Sequence, residues 1–469
     1  MAKFSKSVVT GLVFVILIAT LLIQSATVKA DWTMFRHDPA HTGAEASNPV
    51  LTPTMLWNFT PTNANTTDQY QQYIAMDWSS PAIVNGVVYI GMNGYNHIHV
   101  FGHYSDRYLN IGALYLLNAS TGQELRGVIY DNQAFDLSPA VVNDLIFAKT
   151  NVNTLSALNA SSGLIWSFGV ERSINEVFDV GSSPTVVDGK VFVGWSDGNI
   201  YALNEFNGNR IWNFTTEKTA MSNGNGVFSA PAVTKGVVYA GSNNGIIYAL
   251  NETNGSKLWS YATKDEIQTA PTVVDGAVYF GSFDGSVYSL NAKNGALNWN
   301  YTTGNRIQSS PAVTNGVVYI GSNDHKIYAI NATNGVLIWN FTTGDKVLSS
   351  PAFASGIVFV GSNDKNLYAL NATDGSKIWN YPTSNGIQSS PAVFNGIVYF
   401  GSQDGKVYAL GMPTASPSPS PSSQSKQELF STLTIVIGLV VVVVFVIMIV
   451  SLVVFRRHRK TNNLSNAKT

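Results

Sequence analysis

At 469 residues, with 45% hydrophobic residues, 40 Gly and no Cys, the chain excludes both an intrinsically disordered polymer and a disulfide-stapled miniature fold. Its formal net charge is −1, but residues 31–425 hold 27 of the 28 acidic residues and only 18 of the 27 basic ones. A nucleic-acid partner is excluded by that acidic excess, because phosphate binding requires a basic face.

Residues 1–30 read as a signal peptide. Lys3 and Lys6 precede an apolar run from Val8 to Ile23, and Val28-Lys29-Ala30 ends in the small residues a signal peptidase needs. The segment Asp31 to Gly43 follows, and Trp32, Phe35 and Pro39 fit a cap docked under the repeats that come after it. Its Asp31, His37, Asp38 and His41 leave a metal site as the alternative. Next stands an isolated strand-like stretch, Met55 to Thr60, carrying Trp57.

From there the chain repeats. Pro81, Pro139, Pro184, Pro231, Pro271, Pro311, Pro351 and Pro391 each open a similar unit, and the last five are 40 residues apart. In the unit from Ser309 to Gly344, strands are expected from Val313, at Val317 to Ile320, at Ile327 to Ile330 and at Leu337 to Phe341, with Asn-Gly and Asn-Asp turns between them. Four strands in a period of about 40 residues describe a propeller blade, which buries its faces only by stacking on neighbours. No sustained 3.6-residue apolar period supports a helical solenoid instead. The eighth unit stops after Val407 to Leu410, so the stretch at Leu56 to Thr60 is expected to supply its fourth strand and close the ring. The fold class is therefore all-β: a closed eight-bladed propeller over residues 31–410, its N-terminal strand completing the last blade.

Departures from the repeat locate the loops. Twelve residues normally separate the Trp of one unit from the Pro of the next, but Trp57 to Pro81 takes 24, Trp166 to Pro184 takes 18 and Trp212 to Pro231 takes 19. Within the first unit Gly91 to Tyr115 takes 24, where Gly321 to Tyr328 takes 7. Propeller topology puts all four insertions on one face, over blades one to four, where recognition is expected. Tyr70, Tyr73 and Trp78 in the first insertion, and Trp195 in place of the usual Ser, are the candidate ligand-binding residues; packing the loops on one another is the alternative use. His97, His99, His103 and Asp106 have metal-like spacing, since His-x-His on a strand points both rings to one face; solvated surface histidines are the alternative.

The C-terminal part contains a Pro/Ser-rich linker at 411–429, a transmembrane helix at 430–455 and a basic tail at 456–469. Leu433 to Phe455 carries no charge over 23 residues, and Arg456, Arg457, Arg459 and Lys460 after it place the tail in the cytoplasm and the propeller outside. Sequons at Asn58, Asn65, Asn118, Asn159, Asn213, Asn251, Asn254, Asn300, Asn331, Asn340 and Asn371 are candidate glycosylation sites and suit an archaeal cell-surface protein; Asn and Thr at turns explain many of them equally.

Ala329, Asn331, Asn334, Gly335 and Trp339 carry a family resemblance. They resemble the tryptophan-docking pattern Ala-x-Asp-x-x-Thr-Gly-x-x-x-Trp of quinoprotein-like (PQQ-type) propellers, including the outer-membrane assembly lipoprotein, with Asn in place of Asp. The resemblance implies that Trp57, Trp166, Trp212, Trp259, Trp299, Trp339 and Trp379 pack between adjacent blades. Arg126 replaces the Trp in the first unit and the second is one residue short between Gly163 and Trp166, so those junctions are expected to be less regular.

Two functions follow. The first is a noncatalytic, single-pass cell-membrane protein whose extracellular propeller binds or scaffolds envelope proteins or glycans without a cofactor. The alternative implied by the resemblance is a quinone-dependent dehydrogenase, using pyrroloquinoline quinone (PQQ) with calcium. No residue is marked as catalytic: the recurring Asp197, Asp284, Asp324, Asp364 and Asp404 sit where turns demand them, and no Gly-x-Ser-x-Gly elbow is present.

Overall fold

Asn and Asp followed by Gly set the first hairpin of most blades. Asn315 and Gly316 both take left-handed backbone, with φ of 51° and 73°, the mirror-image turn whose twist suits two antiparallel strands. Asp188-Gly189, Asp275-Gly276 and Asn395-Gly396 repeat it. In the sixth blade this turn joins Ala312–Thr314 to Val317–Gly321, and Lys326–Asn331 and Leu337–Thr342 complete four antiparallel strands. The middle strands are buried on both faces, which is why they read as near-continuous apolar runs.

The computed structural model describes residues 33–38, 41–45, 53–61, 72–98, 107–131, 137–150, 154–170, 181–218 and 226–411. These form eight sheets whose short inner strands neighbour one another in a closed circle. Closure is as expected: Thr54–Phe59 pairs antiparallel with Lys406–Gly411, with Trp57 opposite Ala409 and Phe59 opposite Val407. The leader, the linker and the apolar run at 433–455 lie outside the described residues.

Blade one differs from a loop-bearing repeat. Its second and third strands, Val87–Ile98 and Arg107–Asn118, continue as one ladder well past Gly91, and Gln72–Trp78 pairs along the extension. The seven residues beyond Gly91 carry this ribbon about 20 Å past the blade at strand rise. The insertions expected as loops are here partly a three-stranded ribbon.

The blade junctions explain the repeated Trp and Gly. Trp339 donates its indole N–H to the Ala372 carbonyl of the next blade at 2.9 Å, and its ring lies against Gly375, where an added Cβ would sit 2.6 Å away. Trp57, Trp166, Trp212, Trp259 and Trp299 dock in the same way on Gly122, Gly208, Gly255, Gly295 and Gly335. The short second unit therefore does not disturb its own Trp. Two described junctions depart: between blades one and two Arg126 donates to the Ala160 carbonyl in place of an indole and nothing lies within 4 Å of a Cβ placed on Gly163, and Trp379, tilted against Phe359 at 5.7 Å, has no described glycine beneath its ring.

Candidate functional site: an axial funnel and its plug

The opening segment is threaded into the ring, a closer engagement than a cap beneath it. Ala44–Glu45 pairs in parallel with the inner strand Ala352–Ala354 of blade seven. Inner strands of three blades donate backbone N–H groups to it, from Val141 to Thr33 at 2.7 Å, Val313 to Thr42 at 3.1 Å and Phe353 to Gly43 at 2.9 Å. The carbonyls of the Pro residues that open the inner strands accept side-chain donors, as from Thr185 to Pro231 and from Thr272 to Pro311, both at 2.6 Å. Arg36 uses them, donating to Pro311 at 2.5 Å and to Pro351.

Strain is concentrated here. Arg36, His37 and His41 all have positive φ, a costly conformation for residues with a Cβ, and it persists because the surrounding bonds over-determine it. Burial lowers the Arg36 pKa to about 9, with Asp38 opposing, so the guanidinium stays charged at neutral pH. Burial also lowers His41 to about 4, opposed by Asp38, assisted by Arg36 and opposed again by the Pro271 carbonyl. The neutral imidazole therefore carries its proton on Nδ1, facing Pro271 O at 3.2 Å, with Nε2 3.2 Å from Thr185 Oγ1. Burial alone would raise Asp38, but hydrogen bonds from His37 and Thr42 hold its carboxyl below the usual range. These side chains are committed to the channel wall and to one another, and no cluster of three or more potential metal ligands occurs among the described residues.

Phe35 forms part of the lining of a cavity of about 390 Å³ on the axis above the plug. Its walls come from the residues entering each inner strand, with Ser402 and Gln403 from a hairpin of blade eight. That is the face from which the insertions leave. Two hydroxyl rings build the wall. In the outer, the Ser preceding each Pro accepts a backbone N–H from the preceding blade: Ser80 to Ser138, Ser138 to Ser183, Ala270 to Ser310, Ser310 to Ser350, Ser350 to Ser390, and Ser390 back to Ser80, all at 2.9–3.0 Å. Blades four and five hold Ala230 and Ala270 there. In the second ring a hydroxyl one residue earlier caps a Gly N–H twelve residues on, as in Ser309 with Gly321 at 3.0 Å. Gln268, Gln308 and Gln388 stand above.

Blade two breaks the second ring. Lys149 occupies the Gly position, fully buried, with its ammonium 4.3 Å from the Trp195 ring centroid and close to Gly181 of blade three. Trp195 is itself fully buried, edge-on to Phe168 and Tyr201. Trp195 therefore packs on Lys149, Phe168 and Tyr201, the alternative use set out for it. The recurring aspartates are turn residues, as expected. Asp324 accepts the Lys326 N–H at 3.1 Å, the Tyr328 hydroxyl at 2.5 Å and the Gly304 N–H of the preceding blade at 2.7 Å. Burial and that carboxylate together push the Tyr328 pKa upward.

For Tyr73, Trp78 and His97 only the backbone is described. Tyr73 and Trp78 lie on the ribbon strand Gln72–Trp78, opposite Asn96 and Met92, and His97 is opposite Gln72. Trp78 directly precedes Ser79 and so holds in blade one the sequence position of Gln308. Tyr70, His99, His103 and Asn65 fall outside the described residues, as does Asp106. The lining glutamines and the serine ring, with Arg36 in the plug and Lys149 behind the wall, were not singled out from sequence. Aligning the units on Pro would have exposed the Ile-Gln-Ser-Ser-Pro column and the single Lys in a column of Gly.

The family model described as outer membrane protein assembly factor BamB (PQQ_2) matches residues 111–301 and 284–417. Among curated proteins, the dehydrogenase subunit of a quinone alcohol dehydrogenase from Gluconobacter oxydans (strain 621H) is 33% identical over 92 residues, 18% of this chain and 12% of that protein. The chain thus matches about an eighth of that relative's length. A quinohemoprotein alcohol dehydrogenase from Pseudomonas putida HK5 shares the fold with a TM-score of 0.63 at 14% identity, covering 81% of this chain and 80% of that one. BamB from Moraxella catarrhalis does so with a TM-score of 0.53 at 18% identity, covering 77% and 100%.

Proposed function

Because the chain belongs to the PQQ_2 family of BamB-like propellers, we propose that it is a noncatalytic binding or scaffold propeller at the cell exterior, with the funnel face receiving an envelope protein or glycan. The observation that carries this reading is the chemistry of the funnel wall. Its described lining consists of hydroxyls, carboxamides and apolar groups, with no cation and no carboxylate.

PQQ bears three carboxylates and is held with calcium, which takes six to eight oxygen ligands with carboxylates among them. A wall lacking both charges matches neither the cofactor nor its metal, and Arg36 below is already bound to two carbonyls. The leader, the stalk-like linker and the 23-residue apolar run support an exterior, membrane-anchored location. The location can be tested on intact cells: added protease should release the propeller and leave the basic tail protected. Recovery of the whole propeller in the cytosol would end that part of the reading.

Similarity by itself leans toward the second reading, a quinone-dependent dehydrogenase, since the curated relative and one solved neighbour carry that activity. One experiment separates the two. PQQ and calcium are titrated into the full-length chain, following the quinone absorbance and dye reduction with alcohols or sugars. No spectral change and no turnover is the expected result; saturable quinone binding with turnover would replace the first reading by the second.

A further inference from the structure

We propose that the axial funnel binds a neutral saccharide, held by serine hydroxyls that the blade junctions leave as donors. This deepens the binding role proposed above and rests on it. Ser80, Ser138, Ser183, Ser310, Ser350 and Ser390 each use an oxygen lone pair on a backbone N–H from the neighbouring blade. Their hydroxyl hydrogens have no acceptor among the described residues. All but Ser80 are more than nine-tenths buried, and a buried donor of this kind calls for a partner. Gln308 adds a donor, its oxygen accepting from the Asn323 amide at 2.8 Å, while Gln268 donates to Glu266 at 2.8 Å and adds an acceptor.

A donor-rich wall needs an acceptor-rich ligand. The ligand must also be uncharged, because no cation stands among the described lining residues and residues 31–425 carry an acidic excess that repels anions. A pyranose meets both conditions, since its hydroxyl oxygens accept and its C–H faces can lie on Phe35 and Phe228. An extended peptide fits less well, because its N–H groups are fixed in direction, whereas a sugar hydroxyl can turn its hydrogen toward solvent or toward the carbonyl oxygen of Gln268, whose amide N–H donates to Glu266 at 2.8 Å. The volume of about 390 Å³ lies within the range of small-ligand sites.

The test is saturation-transfer NMR and calorimetric titration of the full-length chain with maltotriose, mannotriose and tri-N-acetylchitotriose, with trigalacturonate as the acidic counterpart. At least one neutral trisaccharide should bind and trigalacturonate should not. The double variant Ser310→Ala/Ser350→Ala should bind about tenfold more weakly, and its fold should survive because Ala already stands at this position in blades four and five. Should it fail to fold, Ala230→Ser/Ala270→Ser extends the ring and should tighten binding. Absence of saturation transfer from every neutral sugar, preference for the acidic one, or an affinity indifferent to both variants would overturn the inference. A polypeptide footprint on the funnel without sugar binding would overturn it while leaving the binding role; quinone binding with turnover would overturn both.

Discussion

Replacing one glycine by alanine at two equivalent turns isolates what the docking tryptophan contributes. Gly375 and Gly163 both have positive φ, 72° and 89°, so alanine carries a backbone cost of about 1–2 kcal/mol at either. They differ in what the new methyl meets. At Gly375 it lands 2.6 Å from the Trp339 indole, whereas at Gly163 nothing lies within 4 Å. The indole must move, adding overpacking of about 1–3 kcal/mol and weakening its hydrogen bond to Ala372 by about 1 kcal/mol. Gly375→Ala should therefore be less stable than Gly163→Ala by about 2–4 kcal/mol. Melting entropy for a domain of this size is about 0.8 kcal/mol per kelvin, so the midpoints should differ by about 3–5 °C in calorimetry. Midpoints agreeing within about 1 °C would refute the claim that the Trp-on-Gly contact secures the junctions.

Three further outcomes are expected. Deleting the chain through Phe59 removes the closing strand and the Trp57 dock, so the truncated chain should lose more than about 5 kcal/mol in urea unfolding and self-associate on sizing; an intact monomer with unchanged stability would contradict closure. Trp195→Ala should destabilise by about 3–5 kcal/mol because the side chain is fully buried, and a melt like that of the parent chain would place Trp195 outside the core. Stability should also fall with pH. His41 titrates near pH 4 in the fold but near 6.5 unfolded, so the unfolded chain gains the proton first: the contribution is complete above about pH 6.5 and declines toward pH 4, by up to about 3 kcal/mol. His41→Gln should flatten this window in urea titrations, and an unchanged slope in that variant would assign the effect to other groups.

The repeat made the propeller, its blade count and its closing strand legible, because backbone turns and period-two alternation are local and each unit states them again. Trp docking was legible for the same reason, but not that the glycine of one unit lies beneath the Trp of the unit before it. What escaped was whatever depends on two units at once. Arg126 looked like a defect, yet it makes the hydrogen bond that an indole would make. Trp195 looked like a surface aromatic because the expectation compared it with Ser in its own column and not with Lys149 in the blade beside it. The plug was legible only as a capping segment: nothing in Arg36 or His41 announces the proline carbonyls they meet more than 200 residues away. The serine ring was hidden by its plainness, since Ser before Pro reads as turn chemistry until the circle is assembled.

The closing strand also bears on how such a chain can grow. A gene duplication that copies a unit from Pro to Pro adds a complete set of four strands, while the seam stays in the blade that contains both Thr54–Phe59 and Lys406–Gly411. Copy number and closure are thus encoded in separate stretches of DNA. Unequal recombination among the nearly identical units can change the number of blades without ever cutting the seam, and a permuted gene whose new ends fall in an Asn-Gly turn of another blade would only move the latch. The same separation leaves the first units free to diverge: blades one to four hold the ribbon, Arg126 and Lys149, and the uniform later blades keep the frame on which that divergence is tolerated.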